Sequence, residues 1–216
     1  MGKQVFNCDR TCSYPLEHPA RLVVLTGGPG VGKTAILEFL KKVLCEHVAI
    51  LPEAASILFS GGFWRIASVV GERSAQKAIF SVQTELQNIF FEEKKWSLGL
   101  CDRGTLDGLA YWPGSEAEFF ESLNTTMAKE YSKYQAVIHL RAPAAKDYNH
   151  QNPERIEPAE KAALIDRRIH DVWKGHSSYI EIQSTEYFSE KIYEAIKAIN
   201  PFLPACCREK VSRGLR

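Results

Sequence analysis

Short apolar runs alternate along the chain with longer stretches in which apolar residues recur every three or four positions. Leu22-Val23-Val24-Leu25 reads as a strand buried on both faces, and a helix is expected from Gly32 to Cys45. Val48-Ala49-Ile50-Leu51 is a second strand, closed by Pro52. From Glu72 to Trp96 the stripe Ala75, Ile79, Val82, Leu86, Ile89 predicts one long amphipathic helix. Leu98 to Cys101 and Ala136 to Leu140 are further strands, with helical patterns between Ser115 and Tyr134. A polar stretch from Ala142 to Pro158 reads as loop, Ala159 to Lys174 as helix, Tyr179 to Ile182 as strand and Glu186 to Ile199 as a last helix. Strands separated by helices require crossover connections, hence a parallel sheet covered on both faces.

The 216 residues fit one domain, with an arm over 1–20, a domain over 21–199 and a tail over 200–216. With 45% hydrophobic and 25% charged residues the composition is ordinary globular material. The net charge of +1 gives no reason to expect nucleic acid as a partner, since a polyanion track needs a basic excess. No apolar run reaches the roughly 18 residues of a transmembrane segment, and no signal peptide is expected. Six cysteines are too few for a disulfide scaffold, so a reducing, cytoplasmic setting is expected. Cys8, Cys12, Cys206 and Cys207 have poor metal spacing and read as surface thiols. Arg208, Lys210, Arg213 and Arg216 against Glu209 make the tail basic, the one place where weak anionic-lipid contact is conceivable.

Directly after the first strand, Gly27-Gly28-Pro29-Gly30-Val31-Gly32-Lys33-Thr34 fits G-x-x-x-x-G-K-[ST], the phosphate loop. Glycine lets bare backbone N–H groups close on phosphate oxygens, and the following helix directs its positive end at the same anion. A nucleoside triphosphate, ATP or GTP with Mg²⁺, is the expected ligand. Gly28 to Thr34 form the cradle, Lys33 reaches the β and γ phosphates, and the Thr34 hydroxyl ligates the metal. Asp102, at the end of an apolar strand, is the candidate second anchor, either holding Mg²⁺ or taking a proton from an attacking hydroxyl.

No Asn-Lys-x-Asp motif is present, which argues against a small GTPase. Phe59-Ser60-Gly61-Gly62 lies far upstream of Asp102 and reads as a flexible loop, not a transporter signature. Only one helix and a tail follow the fifth strand, too little for an oligomeric motor's lid domain. A compact kinase with a lid over about 142–175 remains, in which Arg155, Arg167 and Arg168 are candidates to cover the transferring phosphoryl group. For a small-molecule acceptor, Glu53 stands at the carboxyl edge of the second strand, where it can hold a sugar hydroxyl or act as base, or else serve as a first-turn helix acid. Asp107, Tyr111 and Trp112 follow Asp102-Arg103 and either line the same cleft or pack in the core. His139, in mid-strand, reads as a core histidine.

The phosphate loop, Pro52-Glu53-Ala54-Ala55, the run Cys101-Asp102-Arg103-Gly104-Thr105-Leu106-Asp107-Gly108-Leu109-Ala110-Tyr111-Trp112, and Asn152-Pro153-Glu154-Arg155 with Trp173-Lys174-Gly175-His176 together resemble the NadR-like AAA-type P-loop family. That family includes nicotinamide-riboside kinase domains and the TRPL translocation defect protein, and the resemblance spans about residues 20–185. It implies a three-layer P-loop NTPase fold with a five-stranded parallel sheet, a nucleoside-kinase-like core, and Asp102 and Arg103 as catalytic residues. No adenylyltransferase domain precedes residue 20, so a bifunctional enzyme is not expected. The expectation is a nucleoside or ribosylnicotinamide-like kinase. The alternative is a GTP- or ATP-controlled binding protein with a phosphoinositide or protein partner.

Overall fold

The architecture comes from a computed structural model that describes residues 19–142, 159–185, 187–204 and 207–208. Five strands, β1 (Arg21–Thr26), β2 (Val48–Leu51), β3 (Leu98–Asp102), β4 (Tyr134–Leu140) and β5 (Tyr179–Ile182), form one sheet in the order β2-β3-β1-β4-β5. Every pairing is parallel. β1 is fully hydrophobic from Leu22 to Leu25 because both of its faces are covered.

The helices are α1 (Lys33–Val43), α2 (Ala54–Ser60), α3 (Val69–Glu92), α4 (Glu116–Leu123), α5 (Met127–Tyr131), α6 (Ala159–Trp173) and α7 (Phe188–Ile199), with a 3-10 turn over Thr105–Tyr111. One core layer joins Val23, Leu25, Leu100 and Ile138 to Ile36 and Leu40 of α1 and Ile196 and Ile199 of α7. The other joins Leu22, Val24 and Val137 to Phe90, Leu106, Phe119, Ile169 and Trp173. Alternate residues of one strand thus feed opposite layers. Among the described residues no helix is long and apolar enough to cross a membrane.

The expected helices largely form, with instructive departures. The long helix runs over Val69–Glu92, its Ser68 side chain accepting from the Gly71 N–H, and its buried line is not the expected one. Ala75, Gln83, Gln87 and Phe90 point inward while Ile89 is exposed, because two glutamines have partners inside: Gln83 donates to Arg103 O and Gln87 to the Tyr134 hydroxyl. The helical pattern between Ser115 and Tyr134 breaks at Asn124, in the left-handed region, so α4 and α5 are separate and β4 begins earlier than expected. Phe59 and Ser60 end α2 and are not loop. Leu203 and Cys207, expected in the tail, are core residues, and Cys207 Sγ accepts from the Cys45 N–H at 3.4 Å. Cys8, Cys12, Cys206 and the tail beyond Arg208 lie outside the described residues.

Gly104 shows how tightly the second layer is packed. A Cβ there would stand 2.5 Å from the fully buried Trp173 ring. Gly104→Ala should therefore destabilise the fold by about 1–3 kcal/mol through overpacking, read as a lower denaturant midpoint at unchanged slope. An unchanged midpoint would mean that this seam has slack.

Candidate active site

Three loops meet at the carboxyl edge of the sheet, where β1 lies between β3 and β4. The first follows β1. Gly27, Gly30 and Gly32 have φ of 144°, 72° and 96°. A Cβ on Gly27 would lie 2.3 Å from Leu140 O, so glycine is required there on both grounds. α1 then starts at Lys33 with no capping side chain and no acid in its first turn, leaving its amides and positive dipole end for an anion. Lys33 is folded back into the loop and buried, donating to Gly27 O and Gly28 O at 3.0 Å each. Burial, with the Arg103 charge beside it, lowers its pKa to about 7.

The second loop follows β3 and the third follows β2. Arg103 is held at φ 75°, a conformation that costs a non-glycine residue roughly 1–2 kcal/mol. Four bonds hold it there: Nε to Glu53 Oε1 at 2.5 Å, Nη1 to Gly27 O at 3.1 Å, its N–H to Leu25 O at 3.1 Å, and its carbonyl accepting from Gln83. Glu53 therefore does not act as a mere first-turn acid. Despite the upward push of burial, the Arg103 guanidinium and the Ser56 hydroxyl hold its carboxyl below the usual range. Asp102 is different. Burial raises it to about 6, and its Oδ1 is buried without a partner. Asp102, Thr34, Glu53 and Ser56 border a cavity of about 520 Å³. A partnerless carboxylate oxygen sharing a cavity with the phosphate-loop hydroxyl is a donor set that suits Mg²⁺.

On the far side of the Glu53–Arg103 pair lies a second cavity of about 280 Å³, lined by Phe59, Arg65, Gln76, Gln83, Asp107 and Tyr111 among others. The Arg65 guanidinium stands 4.0 Å from the Phe59 ring centre. Sequence reasoning missed Gln76 and Gln83, since a single glutamine in a long helix carries no chemical signal of its own. A third cavity, about 750 Å³, runs between the 3-10 turn and α6, with Tyr111, Trp112 and Arg168 on its wall.

Asp107 borders the second cavity, yet its carboxylate is already spoken for. It accepts from the Thr26 hydroxyl at 2.8 Å, Trp173 Nε1 at 2.6 Å and the Gly104 N–H at 3.1 Å, tying β1, the 3-10 turn and α6 together. Trp112 is buried edge-on against Phe119 at 5.4 Å, with Arg73 over its ring at 5.2 Å. Of the expected lid residues, Arg168 is exposed and reaches Ala110 O at 3.4 Å, Arg167 is exposed on α6, and Arg155 lies outside the described residues.

His139 is buried as expected but belongs to a network. Its Nε2 lies 2.9 Å from Asp166 Oδ1, which also accepts from the Gly28 N–H at 3.1 Å, while Asp166 Oδ2 accepts from Arg141. Asp166 thus anchors the phosphate loop to α6. The available signal was an acid on the helix's apolar stripe, four residues after Ala162 and three before Ile169.

A family model described as AAA domain matches residues 22–190. No curated protein matches the chain. Among solved structures, thymidylate kinase from Ehrlichia chaffeensis is similar with a TM-score of 0.56 at 16% identity, over 84% of this chain and 99% of that one. At that identity the likeness is one of fold: a P-loop nucleotide-kinase architecture.

The buried ammonium has a consequence in the absence of ligand. Lys33 titrates near pH 7 when folded and near 10.5 when unfolded, so between those values the unfolded chain binds more protons and stability rises with pH. Lys191, lowered by burial to about 8, adds the same sign over the upper part of that window. Thermal melts of the ligand-free chain should show Tm rising above pH 7, and Lys33→Met should flatten the rise. Identical profiles would place Lys33 in solvent.

Proposed function

Because the chain belongs to the AAA domain family, we propose that it is a Mg²⁺-dependent phosphotransferase that moves the γ-phosphoryl group of ATP or GTP to the hydroxyl of a nucleoside or ribosylnicotinamide-like acceptor. The observation that carries this reading is the Glu53–Arg103 pair, which touches the phosphate loop at Gly27 O and borders a cavity of about 280 Å³. A simple hydrolase needs room only for water. This cavity is near the lower end of the roughly 300–1,000 Å³ usual for small-molecule sites, and its Phe59 and Tyr111 rings and Gln76 and Gln83 amides suit a planar, hydrogen-bonding ring.

In this reading the amides from Gly28 to Thr34 cradle the phosphates, and Lys33 leaves the Gly27 and Gly28 carbonyls to meet their charge. Thr34 and Asp102 would hold Mg²⁺, which supplies positive charge to the β and γ oxygens. Glu53, kept ionised by Arg103, accepts the proton of the acceptor hydroxyl as its oxygen bonds to the γ-phosphorus and the nucleoside diphosphate leaves. Arg103 faces the developing charge from its pinned position. Arg167 and Arg168, with Arg155 outside the described residues, are the candidates to cover the transferring phosphoryl group, and Asp107 and Trp112 support the walls of the site.

The test is transfer of labelled γ-phosphate from ATP and from GTP to a panel of nucleosides, ribosylnicotinamide included. Label should appear in one acceptor class. Nucleotide hydrolysis that no acceptor alters would overturn the kinase reading. Lys33→Ala should lower kcat by about 10²–10³, the effect of losing one preorganised charge-stabilising donor. Glu53→Gln should lower kcat by about 10²–10⁴ with nucleotide affinity retained. Wild-type turnover in both variants would show the site to be elsewhere.

A further inference from the structure

Behind the phosphate loop, on the face of the sheet covered by α6, four donor atoms converge. Strand neighbours His139 and Glu181 stand in register on β4 and β5, and His170 comes down from α6. One ligand atom from each lies within 4.8 Å of the other two. The Tyr179 hydroxyl is a fourth corner of the group, 2.6 Å from His139 Nδ1, 3.0 Å from His170 Nδ1 and 3.3 Å from Glu181 Oε2. His170 Nδ1 and Glu181 Oε2 are 3.0 Å apart. Ligands about 2.0–2.1 Å from a tetrahedral ion stand on the order of 3.3 Å from one another, so an ion would enter after the shorter of these pairs open by a few tenths of an ångström.

We propose that His139 Nδ1, His170 Nδ1, Glu181 Oε2 and the Tyr179 phenol oxygen form a binding site for one divalent transition-metal ion of the zinc class. Two imidazole nitrogens with two oxygens and no sulfur is a borderline donor set, which favours such an ion over Mg²⁺. The tautomer is set as a ligand needs it. The Asp166 carboxylate accepts from Gly28 N–H and from Arg141, so His139 donates its Nε2–H to it, and the Nδ1 lone pair faces the cluster. His139 is buried, whereas His170 and Glu181 are partly exposed, which gives the ion a way in. Arg141 also reaches Glu181 Oε2 at 3.1 Å. When an ion takes that oxygen, Arg141 keeps its 2.9 Å bond from Nε to Asp166. The balance is simple: the ion replaces the phenol proton, which passes to solvent. No part of this arrangement depends on the phosphotransfer reading.

The experiment is titration of the whole chain with Zn²⁺ in excess Mg²⁺, followed by calorimetry in buffers of different ionisation enthalpy, with X-ray absorption of the loaded sample. Expected are one equivalent bound with proton release, a first shell of nitrogen and oxygen only, and four-coordinate visible bands when Co²⁺ is substituted. His170→Ala, at a partly exposed position, should weaken binding at least about tenfold with its melting transition retained, and Tyr179→Phe should abolish the proton release. If His170→Ala melts early, Glu181→Gln supplies the same comparison. Sulfur in the first shell would assign the ion to thiols such as Cys45 and overturn the proposal. So would full binding by both the His170 and Glu181 variants, or no stoichiometric binding at micromolar Zn²⁺.

Discussion

A lysine ammonium occupies the cradle into which an anion would fit, and much of the chemistry at the sheet edge answers to it. Lys33 is buried with the Gly27 and Gly28 carbonyls as its hydrogen-bond partners among the described residues, and burial outweighs the support of the nearby Asp102, Glu53 and Asp107 carboxylates, so its positive charge is disfavoured where it sits. The Arg103 guanidinium is close enough to disfavour that charge further. Arg103 in turn cannot leave, because Glu53, Gly27 and Gln83 hold it in a strained backbone conformation. The ligand-free edge is therefore an electrostatically unfinished object with two clustered cations. The arrival of a polyanion removes the conflict instead of creating one.

Asp102 and Glu53 show how neighbouring carboxylates are driven apart by their surroundings. Both are pushed up by burial, but only Glu53 has a guanidinium bonded to it, so it stays ionised while Asp102 rises to about 6. Asp102 is protonated below about pH 6 and ionised above it, with no partner on Oδ1. A divalent cation there would extend the ionised range to lower pH.

The sheet and the phosphate loop were legible because their signals are local. Four-residue apolar runs between turn residues mark strands whether or not their neighbours are known, and the glycine spacing around Lys33 answers to backbone conformation alone. Asp102, Arg103 and Glu53 could be placed because each ends a strand. What periodicity misread is where polarity points inward. Gln83 and Gln87 lie on the buried line of α3 because of partners 20 and 47 residues away, and hydrophobicity counts cannot see a hydrogen bond to Arg103 O or to Tyr134. Asp107 was legible as a cleft residue, but its three bonds to Thr26, Gly104 and Trp173 give it a fastening role that no spacing encodes. The network of Asp166, His139, Tyr179 and Glu181 joins three elements and was equally out of reach. Its members read one by one as a helix acid, a core histidine and two ordinary strand residues.

The strand order also bears on how the chain can be made. Among the described residues β1 pairs only with β3 and β4, β2 only with β3, and β5 only with β4. A nascent chain emerging up to residue 97 thus holds two strands that have no native partner, and no part of the sheet can close until β3 arrives. Contacts of such long sequence separation make for slow folding, and the apolar β1 stays open to wrong pairings in the interval. The glycine-rich loop hangs from the end of β1, so the nucleotide site cannot assemble before the middle of the chain has been synthesised. Translation pauses before that point would prolong the exposure of an apolar strand, whereas pauses after β4 would not.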